Sequence, residues 1–142
     1  MKDISRKDEM RREAVAAGKI VLKPSTIESI RRKEVEKGDA LETAKVAGIL
    51  AVKKTPELIP YCHPLNIDYA GVEFTLGDTT VSCKCTVRAF YRTGVEMEAI
   101  TGVSAALLTL WDMVKYLEKD ENGQYPTTSI DGIRVVSKVK GV

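Results

Sequence analysis

Histidine and cysteine are both scarce in this sequence of 142 residues, which contains one histidine, His63, and three cysteines. A single histidine excludes a histidine-rich metal centre, and the lack of a CxxCH segment excludes the usual haem attachment. Three cysteines are too few for a disulfide framework. Any chemistry that needs an imidazole must therefore use His63.

The sequence also lacks a large excess of charge of one sign, and it lacks long apolar runs. The 22 basic and 20 acidic residues give a formal net charge of +2, which offers no whole-chain reason for a nucleic-acid partner. No apolar run approaches the roughly 20 residues that a membrane-spanning helix needs. The charged start MKDISRKDEMRRE lacks the apolar middle of a signal peptide. We therefore expect a cytoplasmic protein with reduced cysteines and no membrane partner.

The residues that are present suit one folded domain. Hydrophobic residues make up 44% and charged residues 30% of the chain. A chain of this length buries about two-thirds of its unfolded surface on folding. Residues 1–11 are polar and predict a flexible N-terminal arm, and residues 12–142 predict a single domain.

The first elements of this domain are predicted to be a strand and a helix. The segment RREAVAAGKIVL alternates short and longer residues and ends in strand-forming ones, which favours a strand. Ser25 and Glu28 form a capping box, which predicts a helix to about Glu36 that Gly38 stops.

A second helix and a stiff loop follow. Asp39 is a good N-cap with Glu42 three residues on, and the helix that they predict ends in two lysines before Thr55. Residues 56–65 contain three prolines in ten positions and predict an irregular loop.

The second half of the chain predicts a hairpin, a long helix and a last strand. The hairpin turns at Gly77-Asp78, with a bulge at Ala70-Gly71. Apolar residues at helical spacing predict the helix over about 100–119, and DGIRVVSKVK predicts the strand. This order predicts an α+β, ferredoxin-like βαββαβ sandwich with an extra helix in its first crossover. The helices are expected on one face of the antiparallel sheet. The other face of the sheet is either exposed to solvent or packed against another subunit.

His63 lies in the predicted stiff loop between Pro60 and Pro64. Two prolines restrict the backbone around one imidazole where packing does not require rigidity. His63 is either a functional residue or a loop histidine that only forms a hydrogen bond.

Two pairs of charged residues could support proton transfer. Glu96 and Glu98 would point the same way in an extended segment, where their repulsion would raise the pKa of one of them. The alternative is a solvated strand end. Asp112 and Lys115 are neighbours on one face of an otherwise apolar helix and could exchange protons with a substrate. The alternative is a surface ion pair.

The cysteines define a competing hypothesis. Cys83 and Cys85 share the apolar face of a predicted strand, which favours core cysteines over metal ligands. Zinc needs four ligands. Cys62 and His63 could complete that set in a small zinc-binding interaction module.

Phosphate binding, if it occurs, would depend on basic side chains, because the chain contains no Walker loop and no GxGxxG. Lys37 lies at a predicted junction of two helices, where the alternative is an ordinary solvated lysine. Arg134, Lys138 and Lys140 share one face of the predicted last strand. They could bind phosphates or simply protect an exposed edge.

Four segments together resemble one protein family. They are KGDALETAKVAGILAVKKT, LIPYCHPL, TGVEMEAITGVSAALLTLWDMVK and IRVVSKV. With CHPL, GVEMEA and WDMVK at these separations, the chain closely resembles the molybdenum cofactor biosynthesis protein C family, the cyclic pyranopterin monophosphate synthases. The resemblance covers nearly all of residues 37–120 and, more loosely, both ends.

The resemblance implies a lyase that acts on a nucleotide-derived triphosphate. Its substrate is a cyclised dihydroguanosine triphosphate, made from GTP by a radical enzyme, and its products are cyclic pyranopterin monophosphate and diphosphate. The resemblance also implies a homohexamer, a trimer of dimers, with sites at the dimer interface. It implies no metal ligands and no cofactor in the protein, and leaves open whether Mg²⁺ accompanies the triphosphate.

The resemblance assigns roles to individual residues. Asp112, Lys115 and Lys37 match catalytic residues, with Lys37 expected to reach a neighbouring subunit's site. The matched substrate-binding residues are Tyr61, Cys62, His63, Glu96, Met97, Glu98 and Lys138. Homologues often continue with a glycine-rich stretch that holds a further lysine, where this chain reads KVKGV. Whether Lys140 replaces that lysine stays open.

Overall fold

A computed structural model of the chain describes residues 1–141. Its strands are β1 (Met10–Val21), β2 (Tyr69–Leu76), β3 (Thr80–Tyr91) and β4 (Ser129–Lys140), and its helices are α1 (Pro24–Arg31), α2 (Ala40–Lys53), α3 (Thr55–Leu58) and α4 (Glu96–Glu118). The strands form one sheet in the order β2-β3-β1-β4, and each neighbouring pair is antiparallel. This order confirms the predicted α+β, ferredoxin-like fold.

The core lies between one face of the sheet and the helices. Alternate residues of β1 and β3 point to that face, and they include Ala14, Ala16, Ile20, Val81, Cys83, Cys85 and Val87. α4 packs closely on β1 at Gly18, where an added Cβ would lie 3.1 Å from both Leu107 and Val103. The interpretation of Cys83 and Cys85 as core residues is therefore confirmed.

Two glycines bring α2 and α4 together. A Cβ on Gly102 would lie 2.8 Å from Val52 and 2.7 Å from the Sγ of Cys85, and a Cβ on Gly48 would lie 3.0 Å from the carbonyl oxygen of Gly102. Neither position has room for a side chain without movement of its neighbours. This contact fixes α4, which carries half of the predicted site residues.

α4 is more apolar than the sequence prediction allowed. By length and composition it could cross a membrane, although such a helix is also typical of a protein core. Half of its most apolar stretch is buried inside the fold. Packing against the sheet therefore explains the buried half of this apolar stretch.

The N-cap predicted for α2 is confirmed. Asp39 precedes the helix, and its Oδ1 accepts a hydrogen bond from the Glu42 N–H at 3.1 Å. A side chain that satisfies a free N–H in the first turn is worth about 1 kcal/mol. The start of α2 is therefore encoded locally.

The capping box predicted for α1 is wrong. Lys23 is the N-cap, Pro24 lies in the first turn, and Ser25 is already inside the helix. Proline has the φ angle of a helix and no N–H that would need a partner there, so it favours this earlier start. The helix ends at Arg31 instead of continuing to about Glu36.

Two predictions in the middle of the chain also need correction. The predicted irregular loop 56–65 begins inside α3, because Pro56 again lies in a first helical turn. The predicted bulge at Ala70-Gly71 is absent, since β2 pairs with β3 without a register shift. The strand begins only at Tyr69, so Ile67 lies before it and takes no part in its alternation.

A bulge occurs in β4 instead. Val15 of β1 lies opposite Ser137, but the next residue, Ala16, lies opposite Val135. Val136 therefore has no partner in β1, and the alternation of β4 changes there.

The bulge separates basic residues that the sequence placed on one face. Lys138 lies opposite Ala14, which faces the helices, whereas Arg134 lies opposite Ala17 on the other face. The prediction that Arg134, Lys138 and Lys140 share a face is therefore wrong for Arg134. Lys138 and Lys140 lie two residues apart beyond the bulge and share the helix side.

The predicted N-terminal arm is shorter than residues 1–11. β1 begins at Met10, so the sheet takes in the last two residues of that range. Ile4 is buried, and its carbonyl oxygen accepts a hydrogen bond from the Lys7 N–H at 3.1 Å. The hydrogen bond closes a turn within the segment, and the burial of Ile4 shows that the segment packs against the domain.

A buried carboxylate at the end of α4 joins three elements. Glu118 accepts hydrogen bonds from the Lys23 N–H at 3.1 Å, from the Thr128 hydroxyl at 2.6 Å and from the Thr26 hydroxyl. Lys23 caps α1 and Thr128 precedes β4, so one side chain fixes both to α4. Sequence reasoning missed this residue, because nothing in its neighbourhood distinguishes it from a solvated glutamate.

Candidate functional site

The predicted site residues lie in two groups, one at each end of α4. We define the N-terminal cluster as the predicted residues in the first turn of α4, the loop before β2 and the end of β4, together with Arg12 of β1. The predicted residues are Tyr61, Cys62, His63, Glu96, Met97, Glu98 and Lys138. We define the C-terminal cluster as Lys37, Asp112 and Lys115.

Two ammonium groups hold one carboxylate in the C-terminal cluster. The Nζ of Lys115 lies 3.0 Å from Oδ1 of Asp112, and the Nζ of Lys37 lies 3.3 Å from Oδ2. Lys37 also donates to the backbone carbonyl oxygen of Asp112 at 2.9 Å. Within the single chain Lys37 therefore reaches Asp112 of its own chain, and its expected reach into a neighbouring subunit's site stays a prediction.

The two lysines keep Asp112 ionised. Hydrogen bonds from Lys115 and Lys37, and then their charges, lower the pKa of Asp112. The hydrogen bond to Asp112 in turn raises the pKa of Lys115. All three side chains are substantially exposed, so solvent screens these interactions. The cluster offers a carboxylate base between two cationic proton carriers that a ligand can reach.

A turn between α1 and α2 positions Lys37. Gly38 adopts a φ of +126°, in the region that favours glycine, and Asp39 then caps α2. The Glu36 N–H donates to the hydroxyl oxygen of Tyr116 at 2.7 Å, which ties this turn to α4. Sequence reasoning missed Tyr116, although its position four residues after Asp112 places it near the same face of the helix.

An apolar shelf adjoins the C-terminal cluster. A shallow cavity of about 470 Å³ is lined by Leu108, Trp111 and Ile130 beside Asp112 and Lys115. Trp111 is braced by an edge-to-face contact with the ring of Tyr125, with the centroids 5.2 Å apart. A flat apolar surface next to fixed charges suits a planar ring that carries polar groups.

A buried carboxyl defines the N-terminal cluster. Glu98 is only 2% exposed, and its Oε2 accepts a hydrogen bond from the thiol of Cys62 at 3.3 Å. Its Oε1 is buried without a partner. Burial raises the pKa of Glu98. Burial, followed by the charge of Glu98, raises the pKa of Cys62 to about 11, so this thiol keeps its proton at neutral pH.

Glu96 and Glu98 do not point the same way, contrary to the prediction. Both lie in the first turn of α4, where residues two apart diverge by about 200°. Glu98 turns into the core, and Glu96 forms an ion pair with Lys138. Burial acts to raise the pKa of Glu96, but the hydrogen bond from Lys138, other hydrogen bonds and nearby charges lower it overall.

The remaining residues of the N-terminal cluster lie nearer the surface. Tyr61 is 76% exposed, Met97 is also exposed, and His63 is half-buried. Arg12 was missed by sequence reasoning. It is 5% exposed, and its Nε donates to the carbonyl oxygen of Tyr91 at 3.3 Å. The sequence signal that could have found it is its position, because Arg12 follows the same alternation as the buried apolar residues of β1.

Comparison with known proteins gives a consistent result. Residues 1–141 match the model of the MoaC family. The chain belongs to the MoaC family. Its relatives include proteins called probable cyclic pyranopterin monophosphate synthase in Sulfolobus acidocaldarius, with 61% identity over 99% of this chain and 98% of the relative, and in Thermococcus kodakarensis, with 59% identity over 99% and 90%. A protein of the same name in Archaeoglobus fulgidus is 58% identical over 99% and 90%.

The zinc alternative is not supported for this MoaC family member. Cys83 and Cys85 are buried in the core, and Cys62 lies against Glu98 instead. Within residues 1–141, no group of three or more histidine, cysteine, aspartate or glutamate side chains could hold a metal ion.

The two clusters of this MoaC chain are far apart. Glu98 and Asp112 are separated by fourteen residues of one continuous helix. At about 1.5 Å per residue, this separation is about 21 Å along the axis. The single chain therefore presents two groups of site residues that do not face a common space.

Proposed function

We propose that this chain is a cyclic pyranopterin monophosphate synthase, a lyase of molybdenum cofactor biosynthesis. Its substrate would be a cyclised dihydroguanosine triphosphate, and its products cyclic pyranopterin monophosphate and diphosphate. The observation that carries the proposal is the 58–61% identity, over nearly the whole chain, to relatives with that name. The C-terminal cluster supplies chemistry that suits this reaction.

The reaction needs a base and a way to neutralise phosphate charge. Closing the cyclic phosphate requires a sugar hydroxyl to lose its proton as its oxygen attacks phosphorus and diphosphate leaves. Asp112 stays ionised between two ammonium groups and would accept such a proton. Lys37 and Lys115 would stabilise the negative charge that develops on the phosphates, and the apolar shelf would support the purine-derived ring.

The N-terminal cluster would contribute a different kind of carboxyl. Glu98 is buried and its pKa is raised, and in its protonated form it would donate a hydrogen bond. Its unpartnered Oε1 would meet a polar group of the substrate. Tyr61, Cys62, His63 and Met97 would surround that part of the ligand, and Mg²⁺ would enter, if needed, with the triphosphate.

We further propose that one site combines the two clusters from two chains. Their separation of about 21 Å along α4 prevents either chain from forming such a site alone. Exposed apolar residues on β4 and α4 would support self-association, and they are Leu108, Ile133, Val135, Val136 and Val139. The expected assembly is a cytoplasmic homohexamer built as a trimer of dimers.

The direct test of this function is Asp112→Ala. The substitution should lower formation of cyclic pyranopterin monophosphate by about 100-fold or more, because it removes the base. Its unfolding curve should match that of the wild type, since Asp112 is exposed. Asp78→Ala, at an exposed turn position, is the matched control and should keep full turnover. Unchanged turnover in Asp112→Ala would reject the assignment.

A further inference from the structure

The carboxylate of Glu96 occupies the space where residue 94 has no side chain. A Cβ on Gly94 would lie 2.6 Å from Oε1 of Glu96 and 2.8 Å from its Cδ. Gly94 does not adopt a positive φ, so its backbone would accept alanine. A glycine is therefore needed here for the position of Glu96 and not for the backbone conformation.

Glu96 in this position holds Lys138. Its Oε1 forms the ion pair with the Nζ of Lys138, and the carboxylate is the more buried partner, at 21% side-chain exposure against 54%. Lys138 therefore has room to turn outward, whereas Glu96 is confined by the chain at Gly94.

Several cations lie in the surroundings of this pair. The charges of Lys2, Arg12, Lys138 and Lys140 all act on Lys7. Loss of solvent, and then these four charges, lower the pKa of Lys7. Several cations thus lie around Glu96, and such a group favours a ligand with multiple negative charges.

We propose that Glu96 binds Lys138 in place of a phosphate group and releases it when the triphosphate of the substrate arrives, with Gly94 as the positioning residue that makes this contact possible. The inference rests on the proposed function, which supplies the triphosphate. A polyphosphate offers more charge and more acceptor oxygens than one carboxylate, so it competes well for the lysine. Glu96 thereby keeps Lys138 in place in the free protein.

The experiment measures binding of inorganic tripolyphosphate to the full chain by titration calorimetry. Gly94→Ala should displace Glu96 and free Lys138, and binding should become about threefold tighter, the scale of one half-exposed ion pair. The same gain is expected for Glu96→Gln, which keeps the size of the side chain. Gly77→Ala, in the hairpin turn, is the control and should bind as the wild type does.

A double-variant cycle separates positioning from a general structural effect. In a Glu96→Ala background, Gly94→Ala should change binding no further, and in a Lys138→Met background neither substitution should tighten it. The inference is overturned if Gly94→Ala and Glu96→Gln both leave binding unchanged. It is equally overturned if the Gly94→Ala effect persists without Glu96. Turnover is assayed separately. An inactive protein that still shows the binding cycle would reject the proposed function, whereas an active protein without the cycle would reject this inference.

Discussion

Glu98 and Asp112 carry the same functional group in opposite surroundings. Glu98 is buried beside a thiol, and its pKa is raised mainly by burial. Asp112 is exposed between two lysines, and its pKa is lowered by their hydrogen bonds. Carboxyl groups whose surroundings shift their pKa values apart can act as acid and base at one pH. This contrast is the strongest physical argument for different roles at the two ends of α4.

The raised pKa of Glu98 predicts a pH-dependent effect of Glu98→Gln on stability. Compared with the unfolded state, the folded state favours the protonated carboxyl of Glu98. The contribution of this group to the free energy of unfolding is therefore fully present below its unfolded pKa of about 4.3, and it is lost as the pH rises through its folded pKa. At pH 8 we therefore expect Glu98→Gln to be more stable than the wild type by about 1 kcal/mol. The difference should shrink toward acid pH, as measured by urea unfolding.

A control for this prediction is Glu57→Gln, because Glu57 is exposed. Its unfolding free energy should differ from that of the wild type by the same small amount at all pH values. An advantage of Glu98→Gln that did not vary with pH would contradict a role for burial of the charge.

At the scale of elements, the contact between α2 and α4 depends on the absence of side chains. A Cβ on Gly102 would overlap both Val52 and Cys85. We expect Gly102→Ala to lower the free energy of unfolding by about 2 kcal/mol, because overpacking outweighs the roughly 1 kcal/mol that alanine adds to a helix. Thermal unfolding measures this change. Thr109→Ala in the same helix should cost less, and equal losses would show that the glycine contact is not special.

The sequence predicted the existence of the helices and strands better than it predicted their first residues. Asp39 with Glu42 marked the start of α2 correctly, because the signal lies in the side chain itself. α4 has Val95 as its N-cap and no side-chain cap, so its first turn at Glu96 carried no local signal. The opposite directions of Glu96 and Glu98 could not be predicted for that reason.

In the candidate site, a contact between residues close in sequence could be predicted, whereas a contact between distant residues could not. The pairing of Asp112 with Lys115 follows from helical spacing and could be predicted. The approach of Lys37 to Asp112 within one chain joins residues 75 positions apart. It depends on how α4 packs beside the turn before α2, which no local pattern encodes. The family resemblance supplied these residues, and the structure supplied their geometry.

At the scale of the whole molecule, a site shared between two chains predicts complementation. Asp112→Ala and Glu98→Gln should each be inactive as pure proteins. In a dimer that contains one chain of each, one site carries both substitutions and the other carries none. Co-expression of the two variants should therefore restore about a quarter of wild-type activity. The measurement is turnover of the co-purified mixture against each variant alone.

A mixture that stays inactive would contradict a site shared between two chains. If each site used both clusters of a single chain, every chain in the mixture would be defective and no activity would return. Co-expression of two tagged Asp112→Ala chains is the control, since it allows mixed dimers to form without supplying an intact site.

The continuity of α4 between the two clusters limits how the length of this chain can vary. One residue inserted between Glu98 and Asp112 would rotate everything beyond it by about 100° and move it by about 1.5 Å. Asp112 would then leave Lys37, and Gly102 or Glu118 would lose its contacts with neighbouring elements. The hairpin turn at Gly77-Asp78 has no such constraint. Insertions and deletions should therefore accumulate among natural variants in that turn, while the helix keeps its residue count.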